Sequence, residues 1–289
     1  MNIACVNGAF ITLEEAVIPM LDQGFLYGFG LFETVLVKDG YPGFLQRHFE
    51  RMFASANILS ISVFFSANEI AGMIEETINK NKVKNGSVRL TLSAGVDTEA
   101  LPGCAKTGSR AGKSQSTQPA LVIFTRQPLA YSPDHYRYGL SAGFVNIRRN
   151  EYSPLVRLKT LNYLENLLAK KEARARGWDE ALFLNTAGNL AEGSVSNIFL
   201  VKKNQIITPD VNQGLLPGIA RQVVLEKCVS TWIPVQERVI CPQEIWEADE
   251  CFLTNSLMGV MPLVKVNGHP IGDGRPGRIT KKLYQEIFK

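Results

Sequence analysis

The sequence has few of the residues from which metal sites and disulfide frameworks are built. Its 289 residues include five cysteines, an odd number with no C-x-x-C spacing, and three widely separated histidines. Scattered cysteines argue against a disulfide framework or a zinc ribbon and favour a reducing compartment. A metal site built mainly from histidine and cysteine is therefore not expected.

The chain also lacks long apolar runs and concentrated charge. No apolar run approaches the ~18 residues of a membrane-spanning helix, and the N-terminal stretch MNIACVNGAFITLEEA does not have the basic and apolar regions of a signal peptide. The formal net charge of +4 is spread without a basic run, which argues against nucleic acid as a partner. We therefore expect a cytoplasmic protein that binds neither membranes nor nucleic acid.

The first half of the chain carries hairpin and helix patterns. An Asn-Gly and an Asp-Gly dipeptide, each between apolar segments, predict two β-hairpins. Two amphipathic helices are predicted to follow, one from about Gln46 and one after a capping box at Ser66. The segment SVRLTLSAG alternates apolar and polar residues, so it predicts a strand with Arg89 on the polar face.

Two short segments set the predicted domain bounds. Residues Gly103 to Pro119 are small and polar, and they predict a mobile loop. The segment QPLAYSPD contains two prolines and predicts an interdomain linker at 127–131. Because strand and helix patterns also alternate beyond it, the predicted fold is α/β (α+β), with domains at 1–126 and 132–289.

A glycine-rich stretch near the start, DQGFLYGFGLFET, invites a nucleotide-binding interpretation. It lacks the third glycine of a dinucleotide fingerprint, and a strand pattern follows it where a helix pattern would be needed. A dinucleotide-dependent hydride-transfer enzyme is therefore disfavoured. What remains is a tight turn into a strand, or the rim of a small-molecule site.

Motifs in the second half place reactive or anion-binding groups at the ends of elements. In LVRLKTLNYLENLLAKKEA, Lys159 stands where an extended segment meets a helix, either reaching solvent or serving as a nucleophilic amine. In NLAEGSVSNIFLV, Glu192 is either a surface turn residue or a carboxylate facing a cationic ring nitrogen. The segment GLLPGIARQVVLE opens a helix without an acidic first turn, which suits an ordinary helix start or a phosphate site.

In order and spacing these motifs resemble the class IV (fold-type-IV) pyridoxal-phosphate enzymes. That group comprises branched-chain aminotransferases, D-amino-acid aminotransferases and 4-amino-4-deoxychorismate lyases. The resemblance runs from about Asp22 to the end and is strongest in KTLNYL, AEGSVSNIF and GLLPGIAR. It implies an enzyme with a smaller N-terminal and a larger C-terminal α/β domain, with pyridoxal 5′-phosphate bound between them. It also implies a small-molecule amino substrate and assembly as a homodimer.

The resemblance also implies roles for single residues. Lys159 would hold the cofactor through a Schiff base and then move the proton, and Glu192 would keep the pyridine nitrogen protonated so that the ring acts as an electron sink. Tyr27 would line the substrate pocket, and Arg89 would bind a substrate carboxylate or else form a surface salt bridge. The other implied cofactor contacts are Arg51, Ile219, Ala220 and Ser256 to the phosphate, Leu216 to the ring and Tyr163 near the ring hydroxyl.

Departures from the family pattern bear on the reaction. Ala220 stands where related enzymes often have threonine, which removes one hydroxyl from the phosphate site. The basic residue of the branched-chain motif F-E-G-x-R is absent from FETVL, residues 32–36. The segments TNSLMGVMPL and GFLYGFGLFET resemble the lyases, whereas GWDEALFLN and GHPIGDGRPGRIT resemble aminotransferases.

The expected activity is therefore that of an aminodeoxychorismate lyase, which releases 4-aminobenzoate and pyruvate in folate synthesis. A branched-chain or D-amino-acid aminotransferase is the alternative within the family. A non-catalytic small-molecule binding protein on the same scaffold is the alternative from another class.

Overall fold

The computed structural model describes residues 2–96, 119–127 and 131–288. The chain divides into two compact units, Met1–Leu129 with Lys159–Asn162, and Ala130–Leu158 with Tyr163–Lys289. The predicted loop, except for Pro119, and the middle of the predicted linker lie outside the described residues. The predicted bounds place all of 132–289 in one domain, whereas Lys159–Asn162 cluster with the first unit because their backbone pairs with a strand there.

In the described part of the first unit, six strands form one sheet in the order β2-β1-β6-β5-β3-β4, with every neighbouring pair antiparallel. Helices α2 and α3 pack on this sheet around one apolar core. Both predicted hairpins are confirmed, β1 with β2 and β3 with β4. The elements are β1 (Ile3–Val6), β2 (Ala9–Thr12), α1 (Gln23–Tyr27), β3 (Gly30–Lys38), β4 (Tyr41–Pro42), α2 (Leu45–Ile58), α3 (Ala67–Lys80), β5 (Gly86–Ser93) and β6 (Leu121–Arg126).

The glycine-rich stretch forms a short helix, which neither of the two interpretations left open by the sequence, a tight turn into a strand or the rim of a small-molecule site, had included. The buried Asp22 caps α1, since its carboxylate accepts a hydrogen bond from the Gly24 amide at 2.8 Å. The same carboxylate accepts from the Ser93 hydroxyl at 2.6 Å, which ties α1 to the end of β5. Gly28 ends the helix with φ 68°, a left-handed conformation that favours glycine, and β3 follows as predicted.

The described residues of the second unit form a nine-stranded mixed sheet in the order β12-β11-β10-β13-β14-β7-β8-β9, with β15 beside β14. The pairs β11–β12, β14–β7 and β7–β8 are parallel. The elements are α4 (Pro133–Tyr138), β7 (Leu140–Arg149), α5 (Leu164–Ala175), β8 (Glu180–Asn185), β9 (Leu190–Gly193), β10 (Asn197–Lys202), β11 (Gln205–Pro209), α6 (Ile219–Ser230), β12 (Val235–Arg238), β13 (Glu250–Asn255), β14 (Gly259–Val266), β15 (His269–Pro270) and α7 (Arg278–Ile287).

Helices cover this second sheet where its strands are apolar. Helices α6 and α7 pack against β13 and share a core with β10, in which Phe199 and Phe252 stack at a centroid distance of 4.8 Å. Helix α5 packs against β7 and β8 through Ala169 and Ala173. Across residues 2–96, 119–127 and 131–288, no helix has both the length and the apolar character that crossing a membrane requires.

Candidate active site

Lys159 lies in an extended segment beside β3, and α5 begins only at Leu164. The Lys159 carbonyl accepts a hydrogen bond from the Phe32 amide at 2.9 Å, and Thr160 forms an antiparallel bridge with Leu31. The expectation that Lys159 stands directly at a helix start is therefore wrong. Backbone pairing to a strand more than a hundred residues earlier sets its position, and local helix propensity does not.

The side chains of Lys159 and Arg89 both contact the ring of Phe32. Lys159 Nζ lies 4.3 Å from the ring centroid, and the guanidinium carbon of Arg89 lies 3.8 Å from it. Phe32 is buried, and Arg89 Nε donates a long hydrogen bond to Thr91 Oγ1 at 3.4 Å. Cations are attracted to the face of an aromatic ring. The predicted catalytic lysine and the predicted carboxylate-binding arginine therefore both contact the aromatic ring of Phe32.

Arg51 is held by Glu33, a buried carboxylate that sequence reasoning missed. Arg51 Nε donates to Glu33 Oε1 at 2.7 Å and Arg51 Nη2 donates to Oε2 at 2.7 Å, which is a bidentate contact. His48 Nδ1 lies 2.6 Å from the same Oε2. A signal was present, because Glu33 alternates with Leu31 and Val35 on the core-facing side of β3, where a charged residue needs a partner.

The charges in this cluster are set by burial and by mutual contact. Burial by itself would raise the pKa of Glu33, but the charge of Arg51 and the hydrogen bonds from His48 and Arg51 lower it to about 2. Burial lowers the pKa of His48, against the opposing effect of Glu33. His48 is therefore neutral near pH 7 and donates from Nδ1 to Glu33. The charge on Glu33 is thus matched by Arg51, whose guanidinium is held in one orientation.

Glu192 is a buried residue of β9, so the alternative of a surface turn residue is wrong. Its Oε1 lies 3.1 Å from Arg149 Nη2, and its Oε2 accepts a hydrogen bond from the Leu216 amide at 3.1 Å. The Leu216 carbonyl in turn accepts from Asn197 Nδ2 at 2.8 Å. The carboxylate and the loop that precedes α6 are therefore fixed to each other. Neither Arg149 nor Asn197 was singled out from the sequence.

The loop before α6 offers a cradle at a helix N-terminus. Gly218 is the N-cap residue, and among the described residues no side chain caps the helix there. A Cβ atom built on Gly218 would clash with Asn197 Oδ1, so a larger residue here would require the Asn197 side chain to move. The first turn contains Ile219 and Ala220 and no acidic residue. Backbone N–H groups in such a place favour an anion.

Hydrogen bonds also fix the turn that follows Glu192. The Ser194 carbonyl accepts from the Tyr163 hydroxyl at 3.2 Å and from Asn166 Nδ2 at 2.7 Å. Glu180 accepts from the Ser194 amide at 3.2 Å, from the Ser194 hydroxyl, and from Ser196 Oγ at 3.0 Å. Tyr163, predicted to lie near the cofactor ring, is thus anchored to the same turn as Glu192.

The remaining predicted residues differ in their surroundings. Ser256 lies in the turn between β13 and β14, next to Asn255, whose Oδ1 caps the turn by accepting from the Leu257 amide at 2.9 Å. Tyr27 is 65% exposed on α1. Thr254 Oγ1, at the end of β13, is buried without a hydrogen-bond partner among the described residues.

Within the described residues, no group of His, Cys, Asp and Glu side chains is arranged to hold a metal ion.

Comparison with known proteins identifies the family. The sequence profile described as amino-transferase class IV matches residues 30–266. The chain belongs to the class IV aminotransferases. A Methanocaldococcus jannaschii protein named as a candidate branched-chain-amino-acid aminotransferase is 33% identical over 287 residues, with 98% of this chain and 94% of that protein covered. The aminodeoxychorismate lyase of Bacillus subtilis is 31% identical over 286 residues, with 98% and 92% covered.

Solved structures support the same family. The crystal structure of the branched-chain amino acid aminotransferase of Escherichia coli matches with a TM-score of 0.88 and 26% identity, covering 99% of this chain and 93% of that one. The predicted two-domain fold of type IV is thereby confirmed. As a class IV aminotransferase, this protein is a pyridoxal-phosphate-dependent enzyme.

The residues of this class IV enzyme fit that cofactor chemically. The α6 cradle at Gly218 supplies backbone donors for a phosphate, and Arg51 supplies a fixed guanidinium. Lys159 offers a primary amine for an aldehyde, and Glu192 offers a buried carboxylate for a ring nitrogen. The first unit therefore contains groups suited to a phosphate and an aldehyde, and the second unit contains groups suited to a phosphate and a pyridine nitrogen.

Proposed function

We propose that this class IV enzyme is a 4-amino-4-deoxychorismate lyase, which releases 4-aminobenzoate and pyruvate. The observation that carries the proposal is the shared contact of Lys159 and Arg89 with Phe32. This contact places a primary amine and a carboxylate-binding cation at one aromatic surface, which suits a cyclic amino substrate that bears carboxylates. Leu36, in place of the basic residue of the branched-chain motif, further favours the lyase.

The residues have distinct tasks in this reaction. The bound cofactor supplies an aldehyde for the substrate amine and an electron sink for the electrons of the broken C–H bond. Lys159 Nζ acts as general base and takes the proton from the ring carbon that bears the amino group. As the ether C–O bond to the enolpyruvyl group breaks, the ring becomes aromatic. The released enolpyruvate takes up a proton to become pyruvate, and aromatisation drives the reaction forward.

The remaining residues bind and orient. Arg51, the backbone of Ile219 and Ala220, and Ser256 would hold the cofactor phosphate. Glu192 would face the ring nitrogen, with Leu216 against the ring and Tyr163 near its hydroxyl. Arg89 would bind a substrate carboxylate, and Tyr27 would line the substrate side.

A branched-chain aminotransferase is the second candidate. The two relatives described above differ by only two points of identity, 33% against 31%, and the first is named for the transaminase. Lys159 would again take the proton from the carbon that bears the amine and would then deliver it during amino transfer, and no pyruvate would leave. The catalytic groups are common to both reactions, so the products decide between them.

The deciding experiment incubates the cofactor-loaded protein with aminodeoxychorismate and measures 4-aminobenzoate and pyruvate separately. We expect the two products in equal amounts. Arg89→Gln should raise KM about tenfold to a hundredfold, because a charge-assisted contact with a carboxylate is lost. Arg126→Gln, on the neighbouring strand β6, is the matched control.

Absence of both products, together with amino transfer from L-valine or L-leucine, would make the protein a branched-chain aminotransferase. Transfer from D-alanine alone would make it a D-amino-acid aminotransferase. Absence of every activity from a protein that binds the cofactor would favour the non-catalytic binding protein.

We also propose a homodimer, supported by an apolar face on α5. Leu164, Leu167 and Leu168 are 66%, 59% and 47% exposed at helical spacing, which is costly for leucines left in water. Light scattering should give twice the chain mass of 32.0 kDa. Leu167→Glu should shift the protein towards the monomer, and Lys281→Glu, on the exposed side of α7, should not. A wild-type protein of single-chain mass at micromolar concentration would contradict the dimer.

A further inference from the structure

A buried arginine, Arg149, sits between two carboxylates at the end of β7. Its Nη2 lies 3.1 Å from Glu192 Oε1, and its Nη1 donates to Glu165 Oε2 at 3.2 Å. The guanidinium carbon lies 4.0 Å from the centroid of the Phe183 ring. Arg149 is 6% exposed, so packing, stacking and two ion pairs restrict its guanidinium to one position.

The two ion pairs of Arg149 lie in different environments. The side chain of Glu192 is 8% exposed, whereas that of Glu165 is 60% exposed. Water screens the pair with Glu165, so that pair contributes little. The pair with Glu192 is shielded from water and therefore interacts strongly. Arg149 thus acts mainly on Glu192.

The carboxylate of Glu192 is oriented from two directions. Arg149 on β7 contacts Oε1, and the Leu216 amide donates to Oε2. A carboxylate accepts up to about four hydrogen bonds, so a contact with a ring N–H is compatible with these two. The two contacts set the plane of the carboxylate, and the cation favours its ionised form.

We propose that Arg149 is a positioning residue that keeps Glu192 ionised and correctly oriented towards the ring nitrogen of the bound cofactor. The inference rests on the proposed role of Glu192 in contacting that nitrogen. Without the cation, burial would favour the protonated carboxylic acid. Glu192 would then face the ring nitrogen as a neutral group, and a charge-assisted contact would become an ordinary hydrogen bond.

Other titratable groups lie on the elements around this pair. Glu165 approaches from α5 and carries a negative charge. Glu180 on β8 accepts hydrogen bonds from Ser194 and Ser196, and the Tyr163 hydroxyl donates to the Ser194 carbonyl. Glu180 adds a second negative charge near the turn. Loss of Arg149 would therefore remove the positive charge that this ion pair places on Glu192.

The test measures the affinity of the full-length protein for pyridoxal 5′-phosphate by spectrophotometric titration at several pH values. For Arg149→Met we expect Kd to rise about tenfold or more, because a charged contact is lost. We expect Kd to rise further as the pH falls from about 8 to about 6, because a buried carboxylate that has lost a neighbouring positive charge takes up a proton more readily. The wild-type Kd should change less over this range. Arg149→Lys should restore most of the affinity and flatten the profile.

Two control variants separate charge from packing. Arg148→Met alters the adjacent exposed arginine of β7 and should leave Kd unchanged. Glu165→Gln removes the exposed partner and should also leave Kd unchanged. A folded Arg149→Met protein with wild-type Kd and pH profile would overturn the inference. An Arg149→Lys protein no better than Arg149→Met would overturn the part assigned to charge.

Glu192→Gln, titrated in parallel, distinguishes this inference from the function on which it rests. If Glu192→Gln weakens binding and Arg149→Met does not, the inference about Arg149 fails and the role of Glu192 stands. If neither weakens binding, the proposed role of Glu192 fails. If both weaken binding and only Arg149→Met acquires the steeper pH dependence, both are supported, because the glutamine has no proton to gain.

Discussion

Replacement of Lys159 by alanine is expected to reduce turnover by at least ~1,000-fold, because both the nucleophilic amine and the general base are lost. The fold should survive. The Lys159 backbone would still pair with β3, and the lost side-chain contact with Phe32 is a partly exposed cation–π interaction of about 1 kcal/mol. The circular dichroism spectrum and the thermal midpoint should therefore stay close to those of the wild type.

Two measurements check this prediction. Steady-state rates at saturating cofactor give the loss of turnover. Borohydride reduction followed by mass spectrometry should find the cofactor attached covalently to the wild type and not to Lys159→Ala. Lys281→Ala, which alters an exposed lysine of α7, is the control and should behave as the wild type. Wild-type turnover in Lys159→Ala, or cofactor attached covalently to another residue, would contradict the site assignment.

Glu33→Gln is expected to lower the free energy of unfolding by about 3 kcal/mol, since it removes one partner of a buried ion pair and leaves the other. The substitution keeps the side-chain volume, so the effect reports charge and hydrogen bonding. Urea unfolding measures it, with Glu50→Gln, an exposed residue of α2, as the control. An unchanged midpoint would mean that the Glu33 contacts add no net stability.

The same substitution should also weaken cofactor binding. Because Arg51 would lose its fixed orientation in Glu33→Gln, the Kd for pyridoxal phosphate should rise about tenfold.

The same substitution should change how stability depends on pH. The pKa of Glu33 is lowered from 4.5 to about 2 on folding, so its contribution is complete above about pH 4.5 and is lost as the pH falls towards 2. The pKa of His48 is lowered from 6.5, so the unfolded chain binds a proton there first and stability also falls with pH below about 6.5. Glu33→Gln should lose less stability than the wild type below about pH 4.5. Parallel profiles of the two proteins in this range would contradict the assignment to Glu33.

Some features of this protein follow from local patterns in the sequence. The Asn-Gly and Asp-Gly dipeptides predicted two hairpins because those residues readily adopt the left-handed conformations that tight turns require, and both hairpins form. The Ser66 capping box was likewise predicted from spacing and is present. The order of KTLNYL, AEGSVSNIF and GLLPGIAR was sufficient to predict the class IV family and its cofactor, as the comparisons confirm.

The surroundings of the candidate site were decided only by tertiary structure. Lys159 is positioned by pairing with β3, Arg51 by Glu33, and Glu192 by Arg149 and the Leu216 amide. Each of these contacts joins residues too far apart in the chain for any local spacing to show them. The sequence determined which reactive groups are present and in what order. The partners, orientation and charge of these reactive groups were determined by long-range backbone pairing and by buried ion pairs. Both depend on how the strands come together in the folded chain.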